Sequence, residues 1–113
     1  MSNEKMYLLD VLKGKWRVLI IEALFDGSKP FTELQRELKG ISAKILTENL
    51  YFLVRSGILV KRSYPVYPPR VEYSLSDTGE KIKPSLNAIY AWNLENYTPP
   101  TKEVTDEFYS VFK

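Results

Sequence analysis

The 113-residue sequence predicts a mainly helical α+β fold, and three observations lead there. Two short amphipathic helical patterns are separated by a glycine turn at Gly40. Two β-prone runs around a proline-rich loop follow directly, at Ile58 to Tyr64 and Arg70 to Leu75. A long apolar helical pattern then begins at Asp77.

Composition narrows the functions such a chain can have. Its length suits one ordinary domain, and 44% hydrophobic with 27% charged residues is the balance of a globular protein. No apolar run is long enough to span a bilayer, so no membrane partner is expected. The opening MSNEKMYLLDVL has no small-residue cleavage site after its apolar run and does not read as a signal peptide, so a cytoplasmic protein is expected. Cysteine and histidine are both absent. Disulfides, thiolate nucleophiles, the usual zinc sites and the commonest general base are thereby excluded, and neither a metal nor a cofactor is expected.

The elements follow in chain order. Met6 to Leu12 is a short apolar segment, and Gly14 marks a joint. Trp16, Leu19, Ile20, Ala23 and Leu24 then fall on one helical stripe, with Trp16 expected in the core. After a link from Ser28 to Pro30, the segment Phe31 to Leu38 reads as a short helix with Thr32 as N-cap and Leu34 and Leu38 inward. Ser42 caps the next helix, Ala43 to about Arg55, whose Leu46, Leu50 and Leu53 form a buried stripe ending at Gly57. The opposite face carries Lys44, Glu48, Tyr51 and Arg55, with Thr47 at its edge. Lysine, arginine, threonine and tyrosine can hold phosphates, threonine can meet a thymine methyl, and glutamate can accept from cytosine.

In the β-prone segment Val71, Tyr73 and Leu75 alternate with Arg70, Glu72 and Ser74, as in a hairpin strand with one face inward. Between the runs PVYPP stiffens the loop. Lys61, Arg62 and Arg70 flank it, with Tyr64 and Tyr67 toward its tip. From Lys39 to Arg70 six basic residues face one acid, a balance of +5 that leaves −3 on the rest of a chain whose net charge is +2. A helix-turn-helix followed by a basic hairpin is a winged helix-turn-helix with a two-stranded β-wing, and double-stranded DNA is its expected partner.

Several motifs in this order resemble the HxlR family of bacterial and archaeal transcription regulators. They are GKW at Gly14 to Trp16, PFTEL at Pro30 to Leu34, GISAKILT at Gly40 to Thr47, GILVKR at Gly57 to Arg62 and PPRVEYSLSDTG at Pro68 to Gly79. The resemblance covers about residues 6–97. It implies a dimeric fold with Ser42, Lys44 and Thr47 on the major-groove helix and Arg62 and Arg70 on the wing. Glu48, Tyr51 and Arg55 join them from the outward face of the helix, and Lys61 and Tyr67 from the basic wing. Many members carry a cysteine before the first helix, and some use it to sense oxidants; Met6 lies near that position here, which excludes a thiol switch.

The pattern from Asp77 to about Asn96 supports dimerisation through the N- and C-terminal helices. Ile82, Leu86 and Ile89 form one stripe, while Tyr90, Trp92, Leu94 and Tyr97 extend apolar surface around the cylinder. One small core cannot cover this, so a homodimer is expected through Leu8, Leu9, Leu12, Ile89, Tyr90, Trp92 and Tyr97. Pro84 predicts a kink near the helix start. Residues 1–97 thus read as one DNA-binding domain with its dimerisation helices, and 98–113 as a tail that could form a short accessory helix. Aromatic groups at such an interface serve packing or a small-molecule effector equally well, and no ligand is named. The rival is a winged helix whose wing tip docks on a protein. Catalysis is not expected, because Glu33, Glu37, Glu48 and Glu72 read as solvated surface carboxylates with no paired spacing.

Overall fold

The structure, a computed structural model, describes residues 9–98. Residues 9–12 are helical. Helix α1 spans Trp16–Ala23, strand β1 Lys29–Pro30, helix α2 Phe31–Glu37 and helix α3 Ala43–Arg55. Strands β2, Leu59–Tyr64, and β3, Arg70–Leu75, precede helix α4, Asp77–Glu80, and helix α5, Ile82–Asn96. The chain divides into two compact units, one ending at Lys83 and one beginning at Pro84.

Leu46, Leu50 and Leu53 project from one side of α3 into the first unit's core, with Ile20, Ile21, Leu24, Leu34 and Ile58 equally inaccessible. Each such side chain contributes roughly 1.5–3 kcal/mol relative to exposure. The α1 stripe is rotated from the expected one. Ile20, Ile21 and Leu24 are buried, whereas Trp16 and Leu19 are only half-buried. Trp16, Leu19 and Ala23 instead line an open cavity of about 600 Å³. The sequence of α1, WRVLIIEA, is apolar around most of its circumference, so packing and not periodicity chooses its inner face.

The segment expected to be a link is a third strand. Lys29 and Pro30 pair antiparallel with Tyr73 and Glu72, giving the order β1-β3-β2. Pro30 lacks an N–H donor and therefore suits an edge. Pro30 is also the N-cap of α2, in extended conformation and without a side-chain cap, so Thr32 lies within the helix and does not cap it. Lys29 Nζ donates to Glu37 at 2.8 and 3.0 Å and lies 3.5 Å from Asp26, tying β1 to both ends of its helical surroundings. The hydrogen bond to Glu37 raises the lysine's pKa above its ordinary value; burial opposes this, and the charges of Glu37 and Asp26 reinforce it.

The end of α3 is closed by a Schellman arrangement. Ile58 N–H donates to Leu53 O at 3.0 Å and Gly57 N–H to Val54 O at 3.1 Å, with Gly57 at φ +79°. Ile58 and Leu53, both buried, supply the apolar contact that accompanies this motif. The wing hairpin follows at once, in register from Leu59 opposite Leu75 to Tyr64 opposite Arg70.

The expected helix from Asp77 onward is interrupted at Lys81, ahead of Pro84. In a continuous helix the proline ring would clash with the carbonyl of Glu80. With a new start at Ile82, Pro84 is the third residue of α5, where an N–H has no intrahelical acceptor. The interruption replaces the expected kink.

Chain return after β3 depends on Ser76. Its backbone N–H donates to Ile58 O at 2.9 Å, and its hydroxyl proton is shared between Gly57 O at 2.6 Å and Ile58 O at 3.0 Å. The same oxygen accepts from Gly79 N–H at 2.9 Å, capping α4. Gly79 passes so near that a Cβ there would overlap the carbonyl oxygen of Ile58, a backbone atom that cannot swing aside. Gly79→Ala is therefore expected to lower stability by about 1–3 kcal/mol, read from denaturant unfolding. An unchanged midpoint would contradict this close approach.

Candidate nucleic-acid interface

Ser42 opens α3 and accepts a hydrogen bond from Ile45 N–H at 3.1 Å, leaving its hydroxyl proton available. Beyond the cap, Lys44, Thr47, Glu48, Tyr51 and Arg55 are all exposed, as the helical periodicity predicts. Arg55 stands with its guanidinium carbon 5.8 Å from the Tyr51 ring centre. Thr47, Tyr51 and Lys61 line a crevice of about 130 Å³ with Leu50, Val54 and Tyr73, so α3 and the wing present one continuous surface.

Two residues outside the expected site hold α3 in place. The Arg17 guanidinium lies 3.6 Å from the Phe52 ring centre, and its Nε donates to Asn49 Oδ1 at 3.3 Å. Arg17 Nη1 also donates to the backbone carbonyl of Asp10. Asn49 in turn donates to Ile45 O at 2.8 Å. One side chain of α1 thus ties residues 9–12 and the inner flank of α3 together. Its only trace in the sequence is a cation within an apolar helical run.

On the wing, Lys61 and Arg62 are exposed and Tyr67 is 97% exposed. Among the described residues Lys44, Arg55, Lys61 and Arg62 have no ion-pair partner. Arg70 differs, since its Nη2 donates to Glu72 Oε1 at 2.6 Å. Glu72, expected on a solvated face, is buried, while Val71 and Tyr73 are half-buried. The reversal arises because Pro30 of β1 lies opposite Glu72 and Ser28 Oγ donates to Glu72 Oε2 at 3.2 Å. That partner is 44 residues away, beyond the reach of strand alternation.

Burial pushes the Glu72 carboxyl toward a higher pKa. Hydrogen bonds from Arg70, Ser28 and Tyr64, with the charge of Arg70, outweigh it and hold the group below the usual carboxylate range.

Of the residues expected at a subunit interface, Leu9 and Leu12 are exposed. In the second unit Ile89 and Trp92 are 54% and 63% exposed and share one side of α5, while Tyr97 is also exposed. Tyr90 is half-buried and Leu86 buried, so the expected stripe of Leu86 and Ile89 is divided between an inner and an outer face. Leu8 and segment 99–113 lie outside the described residues. Among the described residues no group of acidic side chains could hold a metal ion, and no helix is long and apolar enough to cross a membrane.

A helix-turn-helix joined to a basic β-wing, with an exposed polar recognition face, defines a winged-helix DNA-binding protein. Residues 11–101 match the HxlR-like helix-turn-helix family, and the chain belongs to it. It is similar to the HTH-type transcriptional regulator YtfH of Escherichia coli K12, 40% identical over 101 residues that cover 87% of this chain and 79% of that one. Among solved structures it resembles a transcriptional regulator, described as of the MarR family, from Porphyromonas gingivalis W83. That likeness has a TM-score of 0.76 at 38% identity, over 86% of this chain and 98% of the other. The reduced form of the regulator YodB from B. subtilis gives a TM-score of 0.78 at 29% identity, over 89% and 99%. Family and neighbours are transcription regulators, not enzymes.

The lowered pKa of Glu72 sets a sign for acid stability. A carboxyl depressed in the folded state contributes stability that is complete above its unfolded pKa and lost as pH falls through the folded one. Wild-type thermal midpoints should therefore drop more steeply than those of Glu72→Gln between about pH 5 and pH 2. Parallel curves would show that the ion pair carries no net stability.

Proposed function

We propose that this chain is a sequence-specific regulator that binds an inverted-repeat operator as a homodimer. The observation that carries the reading is the continuous surface of Thr47, Tyr51 and Lys61 across α3 and the wing, flanked by Lys44, Arg55 and Arg62, which have no ion-pair partner among the described residues. In this reading α3 enters the major groove, where Thr47, Glu48 and Tyr51 meet base edges and Ser42, Lys44 and Arg55 meet phosphates. The wing lies along the adjacent backbone and minor groove with Lys61, Arg62, Tyr67 and Arg70.

Dimerisation is supported by exposed apolar side chains on two helical segments, Leu9 and Leu12 on one and Ile89, Trp92 and Tyr97 on the other. Water-facing tryptophan and isoleucine on one helix side favour burial against a second copy. A two-fold pair of recognition helices requires half-sites roughly 34 Å apart, one turn of DNA. An effector that altered helix spacing would uncouple the half-sites.

Selection of bound sites from a random duplex library, followed by salt titration of the winner, tests this directly. An inverted repeat with half-sites one turn apart is expected. Retention without enrichment and without salt dependence would favour the protein-docking wing instead. On the selected site, Arg70→Ala should weaken all sequences alike and lower the salt slope by about 0.9, the value of one phosphate contact. Thr47→Ala should alter which bases are preferred. Sequence-uniform losses in both variants would overturn the division of roles between helix and wing.

A further inference from the structure

A buried carboxylate in the middle of a DNA-binding wing is an unexpected placement, because a negative charge near phosphates opposes binding. Glu72 nevertheless occupies β3 at 8% exposure. Its two oxygens each accept a hydrogen bond, Oε1 from Arg70 Nη2 at 2.6 Å and Oε2 from Ser28 Oγ at 3.2 Å. Ser28 immediately precedes β1, whose Pro30 is paired with Glu72 across the sheet. The carboxylate is thus anchored to the body of the first unit.

Arg70 reaches from this anchor toward solvent. Its side chain remains 61% exposed although one nitrogen is bound to Glu72. Tyr64, directly opposite in the hairpin, sets its ring centre 6.0 Å from the same guanidinium. A long flexible side chain is therefore held by a carboxylate and an aromatic face, with the other edge of its five-donor fork open. Arg62 is the contrast. It stands opposite Glu72 in the register, is exposed, and has no ion-pair partner among the described residues.

We propose that Glu72 is a positioning residue for DNA binding: it fixes Arg70 with the open edge of its guanidinium outward, so that the wing meets the duplex with this cation already arranged. The inference rests on the DNA-binding reading above and adds a role to an acid that contacts no DNA itself. Preorganisation strengthens binding by removing the ordering cost that a free arginine incurs on contact.

The sign of the effect separates positioning from simple neutralisation. Removing a negative charge from a DNA-binding wing should tighten binding if Glu72 only offsets Arg70. If Glu72 positions Arg70, its removal should weaken binding although the protein becomes more positive.

The experiment is fluorescence anisotropy of the full chain on the selected duplex, across a salt series. The variants are Glu72→Gln, Glu72→Ala, Arg70→Ala, Arg62→Ala and the pairs Glu72→Gln with Arg70→Ala or Arg62→Ala, each with a thermal melt. Glu72→Gln keeps the side chain's shape and serves if Glu72→Ala does not fold. We expect Glu72→Gln to bind roughly fivefold to tenfold more weakly, a charge-assisted contact's worth, with a salt slope reduced toward that of Arg70→Ala. In the Arg70→Ala background the Glu72 change should cost nothing further, whereas with Arg62→Ala the losses should multiply. Binding as tight as wild type or tighter, with an undiminished slope, would overturn the proposal. So would an equal loss in the Arg70→Ala background, which marks a merely structural role. If wild type itself shows no salt-dependent binding, the DNA-binding reading falls, and the inference with it.

Discussion

The geometry of the interface depends on one backbone junction. Ser76 joins three things at a single hydroxyl: the closed end of α3, the exit of the wing and the start of α4. Ile58 is the hinge of that junction. Its N–H completes the helix end and its carbonyl receives both the backbone and the side chain of Ser76. With only glycine able to pass at position 79, the wing leaves α3 in one direction. In the proposed complex, the two surfaces that engage adjacent grooves therefore share a fixed angle.

Around this frame, polar side chains do what apolar packing cannot. Leucines at 46, 50 and 53 hold α3 in the core but tolerate small rotations about its axis, since dispersion is weakly directional. Arg17 adds direction. Stacked on Phe52 and bonded to Asn49, it sets the azimuth of the helix and so the outward aim of Thr47 and Tyr51. A cation–π contact of this kind contributes about 0.5–2 kcal/mol. Glu72 has the corresponding place in the wing, and Lys29 ties the edge strand to α2. Each is a charged group whose burial would be costly without partners; Lys29 and Glu72 have ion pairs, and Arg17 has hydrogen bonds and the Phe52 ring.

The fold was legible where local chemistry decides it. The 4-3 spacing of Leu46, Leu50 and Leu53, a serine before it and a glycine after it specify α3 without tertiary help. The wing follows from β-prone runs around a proline-rich loop, and the exposed face of α3 from period alone. Legibility fails where distant contacts decide. The inner face of α1 is chosen by packing, because its residues are apolar nearly all round. Strand β1 is only two residues long and exists through pairing with β3, so no window could show it. The burial of Glu72 depends on Ser28, 44 residues away. The break at Lys81 is local by contrast, and Pro84 marked its place as a kink. The motifs shared with the HxlR family were visible as letters; the Gly57, Ser76 and Gly79 junction supplies their physical reason.

In the proposed complex α3 and the wing engage DNA as one rigid surface, duplicated by a two-fold axis. Dimethyl sulfate interference on the selected duplex reports both grooves at once, through guanine N7 in the major groove and adenine N3 in the minor groove. Two symmetric half-sites are expected, each with N7 interference beside N3 interference within about half a turn, and a weakened N3 signal for Ser76→Ala. N7 interference without any N3 signal, or a pattern unchanged by Ser76→Ala, would contradict a wing fixed to the recognition helix.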